Sequence, residues 1–192
     1  IERLCSEAGL KLLTYGLEQG ADIRAESYSL SEESTTVTYS GIPVTVPLYG
    51  KHNVYNILAA LAVSEAAGID IRGAASCLSS FRNIGGRSEI IHGLYTVIND
   101  TYNSNPLSAL FALESAYEVF RGRRMFAALA DMKELGESSP LYHMKVGEFV
   151  ADRKFAGLML YGGMSKYCAD GALRAGMLPA DILPKLRSTT VY

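Results

Sequence analysis

Tryptophan is absent from the 192 residues, and cysteine and histidine occur three times each. Cys5, Cys77 and Cys168 are odd in number, far apart and without metal-ligand spacing. Neither a disulfide framework nor a zinc site is expected, and the three read as reduced thiols of a cytoplasmic protein. An excess of one charge is also missing. Lys plus Arg is 18 and Asp plus Glu is 20, a formal net charge of −2. No basic surplus exists to neutralise a phosphate backbone, which argues against nucleic acid as a partner. No apolar run approaches the ~20 residues that span a bilayer; the best candidate, 57–63, is closed by Ser64 and Glu65. The opening residues lack the basic, apolar, small-residue order of a secretory leader, so neither a leader nor membrane insertion is expected. Repeats and low-complexity tracts are absent too.

Three catalytic signatures are missing as well. No G-x-x-x-x-G-K-[ST] or G-x-G-x-x-G occurs, and no G-x-S-x-G elbow. Whatever the chain binds, it carries no recognisable phosphate cradle. What remains is ordinary globular composition, 48% hydrophobic and 20% charged, in a length suited to one domain or two small ones.

The two halves follow different periods. Residues 36–39 and 44–46 are β-branched runs around Ser40-Gly41-Ile42-Pro43, a hairpin signal in which Pro43 weakens one ladder. A further short strand is expected over 20–25. Val54, Ile57, Leu58, Leu61 and Ala62 then repeat with helical spacing, with Asn53 as a candidate N-cap and Gly68 at the end. Asp70 suits the cap of a second helix, over 71–80. The turn Asn83-Ile84-Gly85-Gly86-Arg87 is the candidate boundary, giving domains 1–86 and 87–192. Beyond it strands are expected over 95–98, 125–129 and 158–161, alternating with helices over 106–120, 140–152 and 165–175. Asn105-Pro106 and Ser139-Pro140 each place a capping residue ahead of a helix-starting proline. Strands recurring about every 30 residues suggest βαβ units, hence an α/β fold with a parallel, Rossmann-like sheet in the second domain.

Two clusters sit where chemistry would be. In open parallel sheets ligands bind beyond the carboxyl ends of the strands. There lie Asn99-Asp100-Thr101-Tyr102-Asn103-Ser104-Asn105, Ala130-Asp131-Met132 and Gly162-Gly163. Asp100 can hold ribose hydroxyls or a metal ion; Asn105 reads as a helix cap ahead of a ligand. The other cluster, Gly50-Lys51-His52-Asn53-Val54-Tyr55-Asn56, opens a helix, whose free N–H groups favour anions. Asn53 and Asn56 share a face of the first turn, and carboxamides that donate and accept together suit a purine edge. The bland alternative is capping by Asn53 and simple exposure of Asn56. His52 alone is as readily structural.

Taken in order, these clusters resemble the Mur ligase family. Gly50-Lys51-His52-Asn53-Val54-Tyr55-Asn56-Ile57-Leu58-Ala59-Ala60 is similar to its G-x-H-N-x-x-N-x-x-A-A segment, and Gly86-Arg87 to its interdomain G-R. Asn99-Asp100-Thr101-Tyr102-Asn103-Ser104-Asn105-Pro106 resembles the D-x-Y-N-A-N-P of one branch. Residues 130–139, with His143 and Val146-Gly147, resemble that branch's G-D-M-x-E-L-G-x-x-S…H-x-x-V-G. Ala130, Gly85 and Ser104 depart from the pattern, where Gly, Pro and Ala are usual.

The resemblance implies the C-terminal part of a central ATPase domain, built of β-hairpins and helices, followed by a Rossmann-like domain. It implies an ATP- and magnesium-dependent ligase of peptidoglycan precursor synthesis. ATP would phosphorylate the carboxylate of UDP-N-acetylmuramoyl-tripeptide, and the amine of D-alanyl-D-alanine would displace phosphate. By the same resemblance His52, Asn53 and Asn56 would face adenine, Asp100 would hold the ribose, and Arg87 would reach the phosphates as the catalytic cation. Tyr102, Asn103, Asn105, Asp131 and His143 would line the dipeptide side. The family's phosphate loop and metal carboxylates would lie before residue 1, so no metal ligand is expected within these residues. The chain alone is expected to be a catalytically inactive piece that keeps weak adenine affinity. Two other readings stay open: a flavodoxin-like nucleotide-binding or scaffold module, and a sister ligase such as a folate polyglutamylating enzyme.

Overall fold

The computed structural model describes residues 1–82 and 85–183; Asn83 and Ile84 of the expected boundary turn lie outside them. The chain forms two compact units, one over residues 1–99 and the other from Asp100 onward.

The first unit begins with a short helix, α1 (Glu2–Glu7), and two short parallel strands, β1 (Tyr15–Gly16) and β2 (Ile23–Arg24). The strand expected over 20–25 is thus two residues long. β3 (Ser27–Leu30), β4 (Thr35–Tyr39) and β5 (Ile42–Val46) form an antiparallel sheet in the order β3-β4-β5. The hairpin turns at Ser40-Gly41, both at positive φ (50° and 71°), as the sequence suggests. Pro43 sits opposite Thr38 without ending the strand. Period-2 alternation then decides which side chains go inward. Thr35 and Val37 on β4, and Val44 and Val46 on β5, are all buried, and the register pairs Val37 with Val44 and Thr35 with Val46.

Helix α2 (His52–Ala66) packs against that face through Val54, Ile57, Leu58, Leu61 and Ala62, the five residues of the apolar spacing. Helix α3 (Ile71–Ser79) follows, its first turn closed by Asp70, whose carboxylate accepts from the N–H groups of Arg72 and Gly73. The unit ends with β6 (Glu89–His92) and β7 (Thr96–Asn99). β7 answers to the strand expected over 95–98, but it pairs antiparallel with β6 and not with a parallel neighbour. Three residues separate the two strands, enough for a hairpin and too few for a crossover.

The second unit alternates as expected. α4 (Pro106–Val119), β8 (Phe126–Ala130), α5 (Ser139–Asp152), β9 (Gly157–Tyr161), α6 (Ser165–Arg174) and β10 (Ile182–Leu183) build a parallel sheet in the order β10-β9-β8 among the described residues. Leu113, Ala127, Val146, Val150, Leu158, Leu160, Cys168 and Ala172 form its core. Burial pushes the Cys168 thiol up to about 12. Helices α5 and α6 touch backbone to backbone. A Cβ on Gly147 would strike the Cys168 carbonyl, and one on Gly171 the Met144 carbonyl.

Candidate functional site

The start of α2 is built differently from the expectation. Its N-cap position is Lys51, in helical conformation and without a side-chain cap. Asn53 lies inside the first turn and is buried, 4% exposed. The capping role is therefore withdrawn, because the side chain points back into the preceding loop. Its Nδ2 donates to the carbonyl oxygen of Tyr49 at 2.9 Å. Its Oδ1 accepts from Nδ2 of Asn56 at 3.0 Å. The two amides share a face, as the i,i+3 spacing requires, but only Asn56 is exposed. Asn56 thus presents a carbonyl oxygen and one remaining N–H, held in a plane by a buried partner. His52 is half-buried beside it in sequence, one residue ahead of Asn53.

Arg87 is exposed at the end of the boundary turn, and Asp100 is half-buried just after β7. Tyr102, 64% exposed, and Asn103 follow on the loop before α4, where Asn103 Oδ1 accepts from Ser104 N–H at 2.9 Å.

Three other residues of the expected dipeptide rim are engaged by their own chain. Asn105 caps α4: its Oδ1 accepts from Ser108 N–H at 2.9 Å while Ser108 Oγ accepts from Asn105 N–H at 3.0 Å, a reciprocal capping box. Asp131, after β8, accepts from the N–H groups of Gly163 and Met164 at 2.8 and 2.9 Å. Its carboxylate thus ties the loop after β8 to the two residues just ahead of α6, a helix without a side-chain cap. Gly162 at φ 113° lets the loop close on it, since a Cβ there would strike that carboxylate. His143 is 3% exposed. Its Nε2 accepts from Met132 N–H at 2.9 Å, and its Nδ1 donates to the Ser139 carbonyl at 2.8 Å. Both ring nitrogens being spent, His143 pins the loop after β8 to α5 and is removed from direct contact with a ligand. Ser139, expected to cap α5, is its first helical residue, and no side chain caps that end.

No group of three His, Cys, Asp or Glu able to hold a metal occurs among the described residues. Among these residues the donor set does not fit a magnesium site. No helix among the described residues is long and apolar enough to cross a membrane.

A family model described as the Mur ligase middle domain matches residues 1–64, and one described as the Mur ligase, glutamate ligase domain matches residues 86–184. The chain belongs to the Mur ligase family. The UDP-N-acetylmuramoyl-tripeptide–D-alanyl-D-alanine ligase of Bacillus subtilis (strain 168) is 35% identical over 166 residues, 84% of this chain and 36% of that protein. The ligase of the same name from Buchnera aphidicola is 30% identical, over 81% of this chain and 35% of its own. The chain thus spans little more than a third of the length of these curated relatives. A crystal structure of MurF from Acinetobacter baumannii superposes with a TM-score of 0.81, at 23% identity, over 95% of this chain and 39% of that one. MurF from Thermotoga maritima, in complex with ADP, gives 0.72 at 22% identity over 96% and 41%. The mixed α/β architecture, with a parallel sheet in the second unit, is that of these Mur ligase structures.

Proposed function

We propose that this Mur ligase chain carries the adenine-reading surface and the amine-substrate side of an ATP-dependent ligase. That ligase joins D-alanyl-D-alanine to UDP-N-acetylmuramoyl-tripeptide through an acyl phosphate, in the cytoplasm. The observation that carries the nucleotide part is the exposed carboxamide of Asn56, clipped in its plane by buried Asn53. A primary amide so held offers one acceptor and one donor side by side. They match the amino group and adjacent ring nitrogen of adenine, the pairing by which Asn reads adenine elsewhere. Asn56 makes the contact, Asn53 orients it, and His52 directly precedes Asn53 in the chain.

Arg87 and Asp100 are proposed on their chemistry. A guanidinium is a permanent cation whose fork matches phosphate oxygens, and a carboxylate accepts from paired ribose hydroxyls. Tyr102 and Asn103 are proposed to meet the dipeptide, with Asn105, Asp131 and His143 shaping that rim from behind through the bonds described above. The domain boundary is proposed at 86/87, near the start of the second family match. The branch reading rests on Tyr102-Asn103-Ser104-Asn105-Pro106 and on the named relatives. These residues hold no Gly-rich Lys-Thr loop, so the chain by itself is proposed to bind ATP weakly and to turn none over.

Titrating ADP into the 192-residue chain, followed by 15N–1H spectra, tests the reading. Shifts confined to the start of α2, lost about tenfold in affinity in Asn56→Ala, are expected. Saturable ADP binding unchanged by Asn56→Ala would reject it. Binding that maps to the β9–α6 turn would instead favour the flavodoxin-like module.

A further inference from the structure

We propose that Thr35, on β4, is a positioning residue for nucleotide recognition, acting through the 47–50 turn and Asn53 on the carboxamide of Asn56. The inference rests on the adenine reading and deepens it. Thr35 is wholly buried, at 0% exposure. Its hydroxyl donates to the carbonyl oxygen of Leu48 at 2.8 Å, with that of Gly50 at 3.2 Å. The register places Thr35 opposite Val46, so the hydroxyl reaches the chain just where it leaves the sheet for α2. Valine would fill the same volume and suit a strand equally well without burying a hydroxyl. A threonine at this inward position therefore has a job, which is to fix the peptide planes of the turn.

Those planes carry the relay. The Gly50 carbonyl, within reach of Thr35, also accepts from the backbone N–H of Asn53 at 3.0 Å. The Tyr49 carbonyl takes the Asn53 side chain at 2.9 Å. Gly50 itself has φ 113°, a left-handed conformation that fixes how its neighbours' carbonyls are aimed. Asn53 is thus gripped at backbone and side chain by the turn that Thr35 pins. It passes the constraint to Asn56 through the 3.0 Å amide–amide bond. The terminal torsion of an asparagine is otherwise broad, and an exposed side chain loses that freedom on binding. The relay removes this freedom before a ligand arrives.

The test uses the complete 192-residue chain with Thr35→Val, Thr35→Ser and Asn53→Ala. Thermal unfolding, the side-chain amide signals of Asn56 without ligand, and ADP affinity are measured on each. In Thr35→Val the Asn56 amide pair is expected to move toward the position of a freely rotating carboxamide, and ADP affinity to fall about threefold to tenfold. Thr35→Ser, which keeps the hydroxyl, restores both. Asn53→Ala cuts the relay one link later and must displace the same signals, so the idea stays testable if Thr35→Val does not fold. Asn56 signals unmoved in Asn53→Ala, or moved equally in Thr35→Ser and Thr35→Val, overturn the proposal. An unmutated chain that shows no response to ADP, with Asn56 still displaced by Thr35→Val, overturns the adenine reading and the nucleotide role of Thr35 while leaving the relay itself in place.

Discussion

The segments that lead into helices α2 and α6 are held in different ways. Ahead of α6 the amides of Gly163 and Met164 bond the carboxylate of Asp131, carried on the loop after β8, while no side chain caps the helix itself. At α2 no side chain caps the start either, and Asn53 in the first turn bonds both the Tyr49 carbonyl and the amide of exposed Asn56. In the parallel-sheet unit the bonds therefore fasten one loop to another within the fold. The first unit orders a side chain that can discriminate a base.

The contrast can be broken from the α6 side first. Gly147→Ala should have the largest effect, about 3 kcal/mol, because the new methyl meets the Cys168 carbonyl, which has no room to move. Calorimetry should show the loss in the transition of the second unit, with the first unmoved. Asp131→Ala comes next, at ~1 kcal/mol, by taking a charged acceptor from two amides, of which that of exposed Gly163 turns to water. Asp131→Asn should recover part of it, and restored stability on adding phosphate would show that the vacated amides accept an external anion.

The smallest effect sharpens the comparison from the other side. Burial and the hydrogen bond to Glu65 raise the Tyr39 phenol above its usual 10. The folded chain therefore favours the protonated phenol more than the unfolded chain does. That contribution is complete below pH 10 and fades as pH climbs through the raised value. Tyr39→Phe should flatten the alkaline limb of a stability–pH curve of the first unit and leave that of the second unit unchanged.

Much of the scaffold could be read from the residues, since local rules govern it. The five-residue apolar spacing of α2, the Ser40-Gly41 turn, the Asp70 and Asn105 caps and the βα alternation all act within a few positions. β6 could not, because Glu89-Ile90-Ile91-His92 shows no alternation and gains meaning only from its partner strand. The site divided the same way. Asn56 stood out by spacing, whereas the burial of Asn53 and His143 depends on what packs around them. Thr35 left one faint sign, a polar residue in phase with Val37 on an inward face. Its role depends on the β4–β5 register, which brings position 48 within 2.8 Å of position 35.

The buried thiol of the second unit has a consequence of its own. A sulfhydryl reacts with oxidants as its anion, and Cys168, held near 12, is almost wholly uncharged at neutral pH. Cys77 lies exposed on α3. Thiol oxidation would therefore reach Cys77 well before Cys168, so the first unit would lose a free sulfhydryl while the one beneath the parallel sheet survives.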